Sequence, residues 1–325
     1  MPNDVVASWA GSVRGRLDWM LEARHATAAV GFIRCVYGLT TFALLVSSWT
    51  DRHLFFGPTG LFSSPELNAQ WRGEDSWSVF DLAQSVAAFE VLYGAAMLVA
   101  GLTMLGIGGK PMLVLQYVVT WSVFSQNPLL GDGGDNIMYI CGLFLILTQC
   151  FERFRVLPRR KALFRRHSLP WLLNLSHNTG IILIAVQICI VYFIAGTFKM
   201  QGEMWTSGTA LYYVLRNPEY HLPGLELLFH FAFPSIIGSY VTVLSQVLFP
   251  FLMLFRQARL PAVILMMTFH LSIMVVMGLT SFGLIMFACD TVFVNRHLTN
   301  LIDKFKGSDS RVTTKEMGAT EPMAN

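Results

Sequence analysis

The chain has 325 residues, of which 54% are hydrophobic and 13% charged, and its formal net charge is +3. Soluble globular chains carry about a quarter charged residues, so this composition excludes an ordinary soluble fold and points to the membrane class. The basic residues cluster beside apolar segments rather than on a solvated face, which argues against nucleic acid and makes the lipid bilayer the primary partner.

In chain order, residues 1–26 are charged and amphipathic, with no apolar core ahead of a small-residue cleavage site, so no cleavable signal peptide is expected. Arg14, Arg16 and Arg24 at the headgroups, with Trp9, Trp19 and Met20 at the boundary, fit a cytoplasmic interfacial helix. Crossing about 30 Å of hydrocarbon takes roughly 20 apolar residues in a helix. Apolar runs cover 27–49, 83–107, 111–127, 134–151, 178–199, 234–255, 260–278 and 281–295. The expected fold is therefore an all-α integral membrane protein, a helical bundle of about eight transmembrane segments occupying 27–295. The last two runs form one continuous apolar stretch, and Gly278 and Gly283 around Thr280 and Ser281 mark the expected turn. The polar segment 296–325 reads as a disordered cytoplasmic tail.

Cytoplasmic loops hold an excess of Lys and Arg. With both termini inside, all of the 23 basic residues except Arg34, Arg52, Arg72, Lys199 and Arg216 fall on the inner side. This gives a multi-pass protein of the cell membrane with both termini cytoplasmic. Two long outer connections remain, 50–82 and 200–233, and the second has enough aromatic residues to fold back over a cavity. All five cysteines lie in or at the ends of apolar runs, without metal-ligand spacing, and read as buried thiols; no metal site is expected.

An ionisable group inside a span costs about 2.5–3.5 kcal/mol, so each needs a partner or a purpose. Arg34 in the first span can reach the headgroups or form a structural ion pair with Glu90 in the second. Asp290 lies near the inner end of the last run, where interfacial exposure accounts for it. Asp132 and Asp135, in the turn Asn127-Pro128-Leu129-Leu130-Gly131-Asp132-Gly133-Gly134-Asp135-Asn136, either cap the next helix or hold a cation, although the turn lacks the full ladder of a calcium loop. Tyr192, Gly196 and Lys199 share one helical face, a strip that admits a neighbouring helix and leaves Lys199 at the outer mouth, followed by Trp205. Lys199 is either an interfacial snorkelling lysine or a base in a dry pocket. His270, mid-span, either relays a proton or bonds to a facing helix.

The run Tyr192-Phe193-Ile194-Ala195-Gly196-Thr197-Phe198-Lys199 with Trp205 and Gly208, the Phe269-His270 pair with Phe282, and the Asn127-Pro128 turn with Gly133-Gly134-Asp135 resemble the HTTM family of membrane proteins. That family is related to vitamin K-dependent γ-carboxylase and includes the bacterial sporulation-delaying protein B group. The resemblance implies a maturation or export factor for a secreted peptide or protein, with Tyr192, Gly196, Trp205, Asp132 and Asp135 around a substrate cavity. A secreted peptide precursor and a small accessory protein are the implied partners. The carboxylase side of the family implies an alternative, a quinone-dependent carboxylase or oxidoreductase. In it, Lys199 is the catalytic base, His270 the catalytic proton relay and a reduced quinone the cofactor. The absence of the carboxylase's large lumenal domain favours the first reading. A transporter or scaffold, in which these residues only satisfy helix contacts, is the third.

Overall fold

The computed structural model describes residues 15, 17–73, 76–157, 169–217, 231–300 and 302. The expectations for residues 1–14, for the basic stretch 158–168, for 218–230 in the second long connection and for the tail beyond 302 lie outside the described residues.

Long helices carry the architecture, and no strand occurs among the described residues. They are α1 (Thr27–Ser47), α2 (Val86–Leu105), α3 (Gly109–Gln126), α4 (Gly134–Leu147), α5 (Pro170–Gln201), α6 (Ala232–Leu252), α7 (Arg256–Val276) and α8 (Thr280–Asp290). Each apolar run of the sequence becomes one of them. Among the described residues five, α1, α2, α5, α6 and α7, are long and apolar enough to cross a membrane. The chain is thus a multi-pass helical membrane protein. By length and composition α3, α4 and α8 do not meet the same measure.

The division of the last apolar stretch falls where the glycines place it. Gly278 takes φ +71°, a left-handed conformation that costs glycine little, and α8 starts two residues later. Helix α5 begins eight residues before its apolar run. Pro170 suits the first turn because its missing N–H would have no helical acceptor there. The added turns hold the start of the chain: Asn178 Nδ2 donates to the carbonyls of Met20 and Ala23, and Asn174 Nδ2 donates to that of Leu21. His177 accepts from the Gln149 amide at Nδ1 and meets the His25 carbonyl at Nε2, so its proton sits on Nε2.

Helix α8 is the hub, packing on α1, α4, α5 and α7. Around it Val30, Ile33, Tyr37, Met138, Leu145, Ile184, Ile188, Phe249, Met266, Ile285 and Met286 form the main core. A second, aromatic core of Phe56, Phe80, Phe89 and Tyr93 seats the 50–82 connection on α2, and the Tyr93 hydroxyl donates to the Leu45 carbonyl at 2.6 Å. Two glycines let backbones approach closely. A Cβ on Gly38 would sit 2.4 Å from the Met104 amide nitrogen, and one on Gly196 would sit 2.9 Å from that of Val247 on α6.

Arg34 does not pair with Glu90. Its buried guanidinium donates to the carbonyl of Thr103 at 2.6 Å and to that of Phe154, with longer bonds to those of Gly31 and Arg153. It also lies over the Phe151 ring. Thr103 is in the last turn of α2, where carbonyls lack helical partners and attract cations. Antiparallel packing is the reason for the correction: Arg34 is near the start of α1, against the end of α2, whereas Glu90 is near the start of α2. Glu90 instead binds Arg52 at 2.8 Å and His53 at 2.7 Å, and its carboxylate holds the Arg52 guanidinium above its ordinary pKa.

Candidate functional site in the membrane core

Three side chains that the sequence scatters over about 100 positions meet in the main core. Tyr192 on α5 places its hydroxyl 2.8 and 2.9 Å from the two carboxylate oxygens of Asp290 on α8, and 2.8 Å from Nε2 of His270 on α7. None of the three is more than 1% exposed. Phe249 meets the Tyr192 ring edge-on at 4.5 Å, and Phe269 and Phe282 flank the imidazole. The environment around the chain of hydrogen bonds is therefore apolar.

A tyrosine hydroxyl has one proton, so Asp290 and His270 cannot both accept from it. Two patterns satisfy the chain. In the first, His270 is an imidazolium protonated on both ring nitrogens, its Nε2–H donates to the tyrosine oxygen and the hydroxyl donates to an ionised Asp290. In the second, a protonated Asp290 donates to the tyrosine oxygen and the hydroxyl donates to Nε2. Moving both protons one step in the same direction converts one pattern into the other. The arrangement can accordingly pass a proton between Asp290 and His270 without any side chain moving.

Asp290 is buried rather than interfacial, which corrects the expectation from its place in the sequence. Helix α8 has only eleven residues, and its end lies inside the bundle instead of at a surface. Two further polar atoms near this chain have no protein partner among the described residues: Nδ1 of His270 and Oε1 of Gln246. The Gln246 Cβ lies 3.1 Å from the Cβ position of Gly196, one helical turn from Tyr192 toward Lys199. Buried polar groups without partners are uncommon in native structures and mark places where a ligand group can bind. Sequence reasoning placed Asp290 at the interface and did not single out Gln246. The rule that ionisable groups within spans pair with one another was the available signal for Asp290.

Lys199 and Trp205 come together, but apart from this chain. Lys199 lies seven residues after Tyr192, about 10 Å along the helix axis. It is half-buried, with Nζ 5.3 Å from the centre of the Trp205 ring and 3.5 Å from the Ala195 carbonyl. No carboxylate pairs with it among the described residues. Trp205 stands on a short helix, Glu203–Thr206, followed by another, Ala210–Val214. Ser235 and Ser239 of α6 donate to the Gly208 carbonyl, and the Tyr240 hydroxyl donates to that of Thr206, so this connection folds back over the start of α6. Gly196 lies between the two groups at the α5–α6 contact. The Tyr192–His270 and Lys199–Trp205 pairs thus sit at two depths on α5.

The Asp132 turn closes the site from the side of α8. Asp132 Oδ1 accepts from the Gly134 amide at 2.9 Å, while Oδ2 accepts from the Ser281 hydroxyl and from the Phe282 amide at 3.2 Å. It caps the start of α8 from a distance of 150 residues, and α8 has no side-chain cap of its own. Asp135 stands in the first turn of α4, where a negative charge suits the helix dipole. Asp132→Ala is expected to destabilise the protein by about 0.5–2 kcal/mol, the usual worth of a cap. Equilibrium unfolding in mild detergent checks this, and an unchanged midpoint would remove Asp132 from the support of α8. No cluster of three His, Cys, Asp or Glu side chains able to hold a metal ion occurs among the described residues.

The sporulation-delaying protein SdpB of Bacillus subtilis is 23% identical over 302 residues, an alignment covering 87% of this chain and 85% of that protein. No solved structure matches. The HTTM domain model matches residues 24–297, which contain all eight long helices, Tyr192, His270 and Asp290, and the chain belongs to the HTTM family.

Proposed function

We propose that the protein is an integral membrane factor for the maturation or export of a secreted peptide or protein, and that the Tyr192–His270–Asp290 chain is its proton-handling centre. The observation that carries this reading is the chain itself: three hydrogen-bonded polar groups, no more than 1% exposed, enclosed by aromatic rings. Such groups are expensive to bury in a membrane and are kept where protons or substrates are handled. The likeness to a sporulation-delaying protein along nearly the whole chain supports a role beside a secreted precursor. In the full proposal the chain crosses the cell membrane eight times between an interfacial segment at 1–26 and a tail at 296–325. Both termini are cytoplasmic, and a peptide precursor and a small accessory protein are its partners.

A second reading has one observation in its favour. Lys199 is half-buried beside Trp205 without a carboxylate partner among the described residues, which suits a base in a quinone-dependent carboxylase or oxidoreductase. In that case His270 would relay the proton taken up, and a reduced quinone would supply the electrons.

Mass spectrometry of the host's secreted peptides separates these readings, with the wild type, a deletion and Lys199→Ala compared at equal protein level. Under the first reading the deletion leaves a peptide missing or unprocessed while Lys199→Ala retains it. Under the second, both lose a modification with the mass of a carboxyl group or of an oxidation. Secreted peptides unchanged in mass and amount on deletion would refute both.

A further inference from the structure

Helix α6 turns a polar stripe inward. Ser235, Ser239, Thr242 and Gln246 recur at helical spacing and are no more than 7% exposed, while Ile237, Val241, Leu244 and Leu248 on its other faces are exposed. Tyr192 meets Phe249 and Gly196 meets Val247, so α5 and α6 run antiparallel. In that register Lys199 stands between the levels of Thr242 and Gln246, and Gln246 stands about one turn, roughly 5.4 Å, from Tyr192. The stripe thus leads from the short helices Glu203–Thr206 and Ala210–Val214, whose linking Gly208 carbonyl accepts from Ser235 and Ser239, to the edge of the proton chain.

The other side of the chain is apolar. One and two turns further from the short helices lie Ile188 and Ile184 on α5, Met266 and Val263 on α7, and Met253 on α6, all buried. Phe293 closes on Phe249 with ring centres 5.3 Å apart. Thr291, next to Asp290, donates its hydroxyl proton to the Ala288 carbonyl. Among the described residues the chain is therefore continued by polar groups toward one face and stopped by an apolar plug toward the other.

Two unpartnered atoms stand at the polar end. Nδ1 of His270 carries a proton in both patterns described above and has no acceptor, while Oε1 of Gln246 is an acceptor without a donor. Water is both donor and acceptor, and it commonly fills such buried positions. We propose that Gln246 and Thr242 hold bound water that joins His270 Nδ1 to the face carrying the Glu203–Thr206 and Ala210–Val214 helices, and that the chain exchanges protons with that face alone. A gap of about one turn is within reach of bridging water.

The consequence rests on the reading of the chain as a proton-handling centre. In the first pattern the imidazolium releases its Nδ1 proton to the water, which passes a proton to the next. What remains is a neutral imidazole, protonated on Nε2, and an ionised Asp290; uptake is the reverse. In the orientation proposed above the connected face is the outer one, so the centre equilibrates with external rather than cytoplasmic pH.

Hydroxyl-radical footprinting detects the water directly and involves no peptide, so its failure is distinguishable from that of the maturation reading. Radicals made by X-ray radiolysis of water oxidise the side chains that the water touches. The purified full-length protein in nanodiscs is irradiated, digested and read by mass spectrometry. His270 and Met266 are one turn apart on α7 and each 1% exposed, and a thioether oxidises readily. His270 is nevertheless expected to be oxidised several-fold more than Met266, because only His270 adjoins the track. Gln246→Leu should bring His270 down to the level of Met266. Equal protection of the two residues in the wild type would overturn the proposal, as would His270 oxidation unchanged by Gln246→Leu. A misfolded variant exposes Met266, which reports folding in the same sample, and the wild-type comparison then decides.

Discussion

Tyr192→Phe is expected to abolish the processing of the secreted peptide while the bundle still assembles. The substitution keeps the ring, its edge-on contact with Phe249 and the core volume, and removes one oxygen. Among the described residues that oxygen is the only link between Asp290 and His270, so its loss interrupts proton transfer along the chain. Positioned acid–base groups are commonly worth about 10²–10⁴ in rate, and a loss of that order is expected in the amount of mature peptide. Stability should fall by about 1–3 kcal/mol for the buried groups left unpartnered. Asp290→Asn is the informative companion: its amide fills the same space and keeps a hydrogen bond to Tyr192, yet carries no exchangeable acid proton. Equal loss of mature peptide in both variants, at protein levels near wild type, identifies the chain as a proton path. Normal processing in Tyr192→Phe would make the chain a structural tie between α5, α7 and α8.

The second large effect concerns stability alone. Arg34→Leu is expected to cost about 2–5 kcal/mol, because the carbonyls of Thr103 and Phe154 lose their donor inside the bundle and a long side chain loses its packing. Glu90→Gln should cost far less than Arg34→Leu, since Glu90 and its partners Arg52 and His53 are solvent-screened. Double-mutant cycles in detergent test the arrangement: Arg34 and Glu90 should show no coupling, whereas Arg52 and Glu90 should. Coupling between Arg34 and Glu90 would contradict the helix packing described above.

The helices were legible in the sequence because hydrocarbon thickness imposes a length and unpaired backbone imposes a conformation. The turn at Gly278 was legible for the same local reason, a backbone that bulkier residues avoid. The start of α5 was not, because Asn174, His177 and Asn178 are polar and face the chain's own beginning; hydropathy cannot distinguish them from a loop. Arg34 and Glu90 have opposite charges, but charge alone carries no depth, and only the antiparallel register puts them near opposite ends of their helices. Asp290 was misplaced for a related reason. Distance from the end of an apolar run does not report burial when other helices pack around that end, and the end of α8 lies among α1, α4, α5 and α7. The sequence did mark Tyr192 and His270 as the polar residues to watch. What it withheld was their mutual contact across 78 positions and the third member that joins them.

The central place of α8 also constrains how the molecule is made. Residues 280–290 leave the ribosome after every helix they hold together, so α1, α4, α5 and α7 enter the bilayer before the element that fills the space between them exists. Until then the nascent bundle has an open slot, and its polar lining, Tyr192 and His270, has no Asp290 to bond. Closure is a late, post-insertion event involving contacts of long sequence separation, the kind that forms slowly. Membrane quality control would meet the protein in that open form, so a stop codon or frameshift anywhere before residue 280 should leave a chain that inserts and is then degraded, rather than a smaller working version of the protein.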